Sequence, residues 1–182
     1  YAPTAPATAP FDAVLGGPRQ TPRADLPKRP ANMHDWAYGD LPASVNDAKQ
    51  KKCLAEGIYF ESRGESERGQ AAVAQVILNR VRNPAYPDTV CDVVYQNRAW
   101  YNRCQFSFAC DGIRDAVREP DAWKTAQRVA EDVVSGKTYL PEVGDSTHYH
   151  ATWVRPGWRR EMTRLTQIGV HVFYRTVNGG WN

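Results

Sequence analysis

From Ala48 to Val81 the apolar residues recur at helical spacing, and the pattern breaks once, at Gly64. Leu54 and Ile58, together with Cys53, fall on one side of a helix over Ala48–Phe60. Val73, Val76, Ile77, Leu78 and Val81 give a wide apolar face to a second helix over Glu67–Arg82. Two consecutive helices of this kind must bury their faces against each other or a shared partner, so they define the core of the domain. Ser66 is placed to cap the second helix and Pro84 to stop it. Gly64 is expected to supply the backbone freedom of the turn between them. That turn carries "ESRGE", which sets the carboxylates of Glu61 and Glu65 at the junction of two core segments.

Downstream, Asp88 is expected to cap a short helix in "TVCDVVYQ". "NRCQFSFACDG" reads as a strand or hairpin ending in the turn pair Asp111-Gly112. Asp121 is expected to cap a third long helix bearing Trp123, Ala126, Val129 and Val133, with Gly136 just past its end. "STHYHATWV" and "GVHVFYR" alternate as strands do. Helices come first and short strands after, which predicts a mainly helical α+β domain with a small antiparallel hairpin or sheet. Residues 1–43 hold eight of the thirteen prolines and show no periodicity. They read as a Pro-rich extended arm or linker before a compact domain over 44–182, with Trp36 and Tyr38 placed to pin the arm's end. The arm is a candidate surface for a protein partner.

Composition narrows the function. A net charge of +3 suits an anionic partner but is too small to argue for nucleic acid, and no nucleic-acid-binding motif is present. No apolar run is long enough to span a membrane. The chain starts at Tyr1 like a processed or trimmed protein, so its N-terminus does not indicate a compartment. Six Trp and nine Tyr are generous for 182 residues, as in carbohydrate or peptide clefts, although for any single one core or rim packing is the favoured reading.

Four cysteines without a CxxC pair favour disulfides, and hence a periplasmic or secreted location. Four allow three pairings. Cys104 and Cys110, six apart across the expected hairpin, are within reach of each other, which leaves Cys53 for Cys91.

Glu61 follows the mostly apolar Gly57–Phe60 at a helix C-terminus. Apolar surroundings and the negative end of the helix dipole both disfavour an ionised carboxylate, so its pKa is expected to rise. A carboxylic acid still protonated near neutrality is what glycosidic cleavage uses to protonate the leaving oxygen. On local sequence alone, an ion pair with Arg63 or Arg68 is the favoured reading, because single Glu residues near Arg are common.

The blocks "YFESRGE", "GQAAVAQVILNRV", "YPDTVCDVVYQ", "CQFSFACDG", "THYHATWVRPGW" and "TRLTQIGVHVFYR" occur in order over roughly residues 52–175. Together they resemble the SleB-type cell-wall hydrolase family, peptidoglycan-cleaving enzymes that include spore-cortex lytic enzymes. The family's "EARGE" stands here as "ESRGE", with Ser62 in place of Ala. The Glu-Ser pair is also similar to that of lytic transglycosylases with a lysozyme-like fold. The resemblance implies a lysozyme-like domain acting on peptidoglycan glycan strands. It further implies that Glu61 is the acid/base for the β-1,4 bond between N-acetylmuramic acid and N-acetylglucosamine, with no cofactor or metal.

The other blocks are expected to line the cleft. Gln105, Phe106, Ser107 and Asp111 lie on the expected hairpin, and Tyr149 and His150 on a later strand; packing is the competing reading, for Phe106 above all. Glu65 is expected to orient substrate or hold Arg63. A single-acid lytic transglycosylase is the favoured mechanism. A lysozyme-like muramidase would need a second carboxylate, from Asp111, Asp145 or Glu65. A zinc amidase built on His148, His150 and His171 is a rival enzyme, though the sequence has no HExxH. A non-catalytic wall-binding module is the rival outside enzymes. Arg155, Arg159, Arg160 and Arg164 form a basic cluster.

Overall fold

The computed structural model describes residues 32–101, 104 and 106–180, so most of the expected arm and Gln105 lie outside the described residues. Four α-helices come first: α1 (Ala48–Ser62), α2 (Glu67–Arg82), α3 (Val90–Val94) and α4 (Pro120–Val134). Three strands follow: β1 (His148–Ala151), β2 (Met162–Ile168) and β3 (His171–Thr176). They form one antiparallel sheet in the order β1-β3-β2, with a register shift between Arg164 and Thr166 of β2. The fold is therefore mainly helical α+β with a small antiparallel sheet.

The α2 helix is the centre of the domain, and every residue from Gly69 to Val81 is buried. One side, with Val73 and Ile77, packs in a cluster with α1, α3 and α4. The other side, with Ala72 and Val76, packs on Val143, Ile168 and Phe173 beneath the sheet. A helix buried all round needs apolar residues on all sides, and full burial of each Val or Ile contributes about 1.5–3 kcal/mol. The two longer helices of the junction approach closely at Gly57, where a Cβ would stand 2.9 Å from Ile77 Cδ1.

The polar residues of α2 are as informative as the apolar ones. Gln75 Nε2 donates to Leu140 O (3.1 Å) and Gly144 O (3.0 Å), and its Oε1 accepts from Leu140 N–H. Asn79 Nδ2 donates to Gly144 O and Ser146 O (2.9 Å each), and Arg80 Nε to Thr147 O at 2.7 Å. These buried amides satisfy the carbonyls of a buried loop that would otherwise be orphaned. They fix residues 140–147, and so fix where β1 starts.

Several local expectations change. The first helix runs two residues past Phe60, with the buried Ser62 Oγ donating back to Ile58 O at 2.8 Å. Gly64 has an ordinary φ, and a Cβ there would meet nothing within 4 Å, so the turn does not require glycine. Ser66 does cap α2, accepting from Gly69 N–H at 3.2 Å. Thr89, not Asp88, caps α3. Helix α4 starts at Pro120 with Glu119 at the N-cap, leaving Asp121 in the first turn. A φ of 76° at Gly136 follows its end.

Over residues 106–112 of the segment expected as a hairpin, the chain turns instead. Ser107–Cys110 form a 3-10 turn, in which Ala109 N–H donates to Phe106 O, and no strand occurs there among the described residues. The disulfide Cys104–Cys110 closes this loop at a Cα separation of 5.9 Å. A second disulfide, Cys53–Cys91, ties α1 to α3. Residues 32–43 contain a 3-10 turn, Asp35–Tyr38, and lie against the domain through Trp36 Nε1, which donates to Gly179 O at 2.8 Å.

Candidate active site

Glu61 sits in the last turn of α1, where that helix, the Cys104–Cys110 loop and β1 converge. Tyr149, at the second position of β1, donates its hydroxyl to Glu61 Oε2 at 2.9 Å. The Ser107 backbone N–H is directed at the same carboxylate, and the cation of the buried Arg80 acts on it. Burial outweighs all three and holds the Glu61 carboxyl above the ordinary carboxylate range. Desolvation penalises the charged form, whereas a donated hydrogen bond and a nearby cation favour it. Burial likewise pushes the Tyr149 hydroxyl well up, with the Glu61 charge adding to it, so the phenol stays a donor.

Arg80 underlies the site. It is 2% exposed, with Phe106 and Tyr86 rings 5.2 and 5.4 Å from its guanidinium carbon. Burial, with Arg80 nearby, holds the His148 imidazole down at about 4, so it is neutral at ordinary pH.

The second carboxylate of the junction has a different task. Glu65 Oε1 accepts from Val170 N–H at 3.1 Å and lies 4.0 Å from His171 Nδ1. It thereby holds the β2–β3 turn, 105 residues away in sequence. Gly169 in that turn has φ 55°, and a Cβ there would overlap the Glu65 carboxylate. Arg63 is bonded to Glu119 instead, at 2.8 Å. The ring of His171 stands edge-on to Tyr149 at 5.0 Å, which connects the Glu65 anchor to the phenol beside Glu61.

The other expected positions divide between cleft, core and the far face of the sheet. A groove of about 250 Å³ runs beside the end of α1, lined by Phe60, Arg63, Phe108, Asp111, Asp115 and Arg118 among others. It contains Asp111; Phe60 and Arg63 line it, whereas Glu61, between them in sequence, does not. Ser107 presents its backbone to Glu61. Phe106 is 2% exposed and belongs to the core. Gln105 is outside the described residues. Asp145 is buried, accepting from His34 N–H at 2.9 Å with Arg175 3.8 Å away, so it does not flank a bound sugar.

His150 is on the opposite face of β1 from Tyr149. There its Nε2 meets the Tyr174 hydroxyl at 3.1 Å. His148 shares that face, whereas His171, paired with Ala151, is on the inner one. Three imidazoles divided in this way cannot converge on one metal ion. The residues that sequence reading passed over are Arg80, Gln75 and Asn79. Their signal was present, as three polar side chains inside an apolar helix.

The comparisons agree with this architecture. A family model described as Cell Wall Hydrolase matches residues 64–174, starting three residues after Glu61. The spore cortex-lytic enzyme of Halalkalibacterium halodurans is 32% identical over 134 residues, 74% of this chain and 37% of that protein. That of Bacillus subtilis is 27% identical over 143 residues, 79% and 43% of the two chains. The chain thus spans about two-fifths of the length of the curated relatives it matches.

Two solved structures align with it, each with a TM-score of 0.56 over 71% of this chain. One is the catalytic domain of the Bacillus cereus SleB protein, 29% identical and 91% covered. The other is the catalytic domain of the germination-specific lytic transglycosylase SleB from Bacillus anthracis, 28% identical and 96% covered. With more than half of its 182 residues matched by the family model, the chain belongs to the cell wall hydrolase family.

Proposed function

We propose that this domain cleaves the β-1,4 bond between N-acetylmuramic acid and N-acetylglucosamine in peptidoglycan, as a lytic transglycosylase with Glu61 as its one acid/base. The observation that carries the reading is the raised pKa of Glu61 beside the Tyr149 hydroxyl. The protonated acid gives its proton to the glycosidic oxygen as the C1–O bond breaks. The substrate's acetamido group stabilises the cationic centre. The Glu61 carboxylate so formed is stabilised by Tyr149 and by the Arg80 cation. It then takes the proton of the muramoyl 6-hydroxyl, whose oxygen bonds to C1 and closes a 1,6-anhydro ring. No water is consumed, and Glu61 ends protonated.

Two further points support this reading over a two-carboxylate hydrolase. Glu65 and Asp145 are engaged elsewhere, and one aligned structure is named a lytic transglycosylase. Asp111, in the groove lined by Phe60 and Arg63, is the position a muramidase mechanism would use. Two disulfides suit a periplasmic or secreted enzyme. Mass spectrometry of products from purified sacculi tests the mechanism. The expected muropeptides end in 1,6-anhydromuramic acid; reducing ends heavier by one water would overturn it in favour of a muramidase. Wall binding without any cleavage would leave only a binding module.

A further inference from the structure

The outer face of the sheet holds a second concavity, of about 320 Å³, that the catalytic reading does not use. Arg155 and Arg159 reach it from the segment after β1, and Arg164 and Gln167 from β2. His150 and Tyr174 form its aromatic side, their rings stacked at 5.3 Å. His150 Nδ1 is bonded to Ala151 O at 2.8 Å, so in the neutral ring Nδ1 is the donor and Nε2 accepts from the Tyr174 hydroxyl.

What marks this place is three guanidiniums gathered on one concavity that no carboxylate lines. Several arginines elsewhere are matched: Arg63 with Glu119, Arg68 with Glu142, Arg128 with Glu67, Arg175 with Asp145. Among the described residues, Arg155, Arg159 and Arg164 have no carboxylate within ion-pair distance, although Glu161 is close in sequence. Arg164 donates to the amide oxygen of Gln167, at 3.3 Å. Guanidiniums gathered around a concavity without a counter-charge repel one another and attract a planar anion, which they bind through paired N–H groups.

We propose that this pocket binds a free carboxylate of the peptide stem carried by the glycan strand. The inference rests on the peptidoglycan reading above. β1 is an edge strand of the sheet. Tyr149 faces Glu61 from it and the next residue, His150, faces the pocket. Successive strand residues point to opposite faces. A stem attached to a sugar near Glu61 can therefore pass the edge of the sheet at β1 and place its carboxylate among the arginines. The pocket selects stem-bearing glycan and holds it in register.

The direct test is titration of the wild-type protein with a stem peptide bearing free carboxylates, with the same peptide fully amidated, and with inorganic phosphate. Chemical-shift changes at His150 and Tyr174 with the free peptide alone are expected. Equal binding of the amidated peptide, no binding of the free one, or preference for phosphate would overturn the stem reading; the last would indicate a phosphodiester polymer instead.

The kinetic test is the triple variant Arg155→Gln, Arg159→Gln, Arg164→Gln. Its KM for stem-bearing glycan should rise roughly tenfold or more with kcat unchanged, while stem-free glycan is cleaved as before. Equal effects on both glycans would contradict the proposal. A wild-type protein that cleaves neither glycan would defeat the function proposed above, and the titration would still decide this one.

Discussion

On the inner face of the sheet, Tyr149 and His171 meet two carboxylates, Glu61 and Glu65; on the outer face, His150 and Tyr174 meet three guanidiniums. The inner face acts through burial. There burial raises the pKa of a single carboxyl, and a second is fixed by a backbone N–H. The outer face acts through accumulation, with charges that stay solvated and act together. A buried site changes what one group is, whereas an exposed one changes only where charged partners settle. The proposed catalytic acid is accordingly on the inner face and the proposed recognition site on the outer.

The sharpest way to break this contrast is Glu61→Gln. The amide keeps the shape and loses the proton, so activity should fall by about 10²–10⁴-fold while circular dichroism stays unchanged. Loss of less than about tenfold would place the acid elsewhere.

Tyr149→Phe is the next largest. It removes a hydrogen bond to the ionised form of Glu61, worth about 1.5–3 kcal/mol, so activity should drop roughly tenfold to a hundredfold. That bond lowers the Glu61 pKa, so its removal raises it further. The alkaline limb of kcat/KM, where the acid is lost, should then move to higher pH. A limb that moves to lower pH would contradict the assignment.

Gly169→Ala tests the other inner carboxylate. A Cβ at φ 55° beside Glu65 should cost about 2 kcal/mol or more in stability, and less in a Glu65→Ala background, because the clash is then absent. Additive losses in urea melts of the double-mutant cycle would separate the two residues.

The smallest effect is in stability against pH. The folded pKa of Glu61 lies above its unfolded value, so ionising it disfavours folding. That penalty is absent below the unfolded pKa and grows as pH rises through the folded one. Glu61→Gln should therefore melt higher than wild type at pH 8, with the difference vanishing near pH 4. A gap that widens on acidification would mean that the ionised form is the favoured one.

The parts legible in sequence are those in which burial and period coincide. The first two long helices announce themselves because their apolar residues repeat at helical spacing and face a real core. β2 does not, since only Ile168 of its seven residues is buried; pairing with β3, rather than burial, makes it a strand. The loop at Cys104–Cys110 misleads because Phe106 and Phe108 alternate as strand residues do, yet both enter the core from a disulfide-closed turn. For Glu61 the local context favours an ion pair, and the resemblance of the surrounding blocks is what singles the residue out. The partner of Glu65 is not legible, since nothing near residue 65 points to a backbone N–H at 170.

The measurement closest to the centre of this account is a carbon-13 NMR titration of the Glu61 side-chain carboxyl, assigned by comparison with Glu61→Gln. The account predicts a midpoint above the ordinary value of 4.5, rising further in Tyr149→Phe. A midpoint at or below 4.5 would mean that the carboxyl is ionised at neutral pH, and Glu61 would not be the acid.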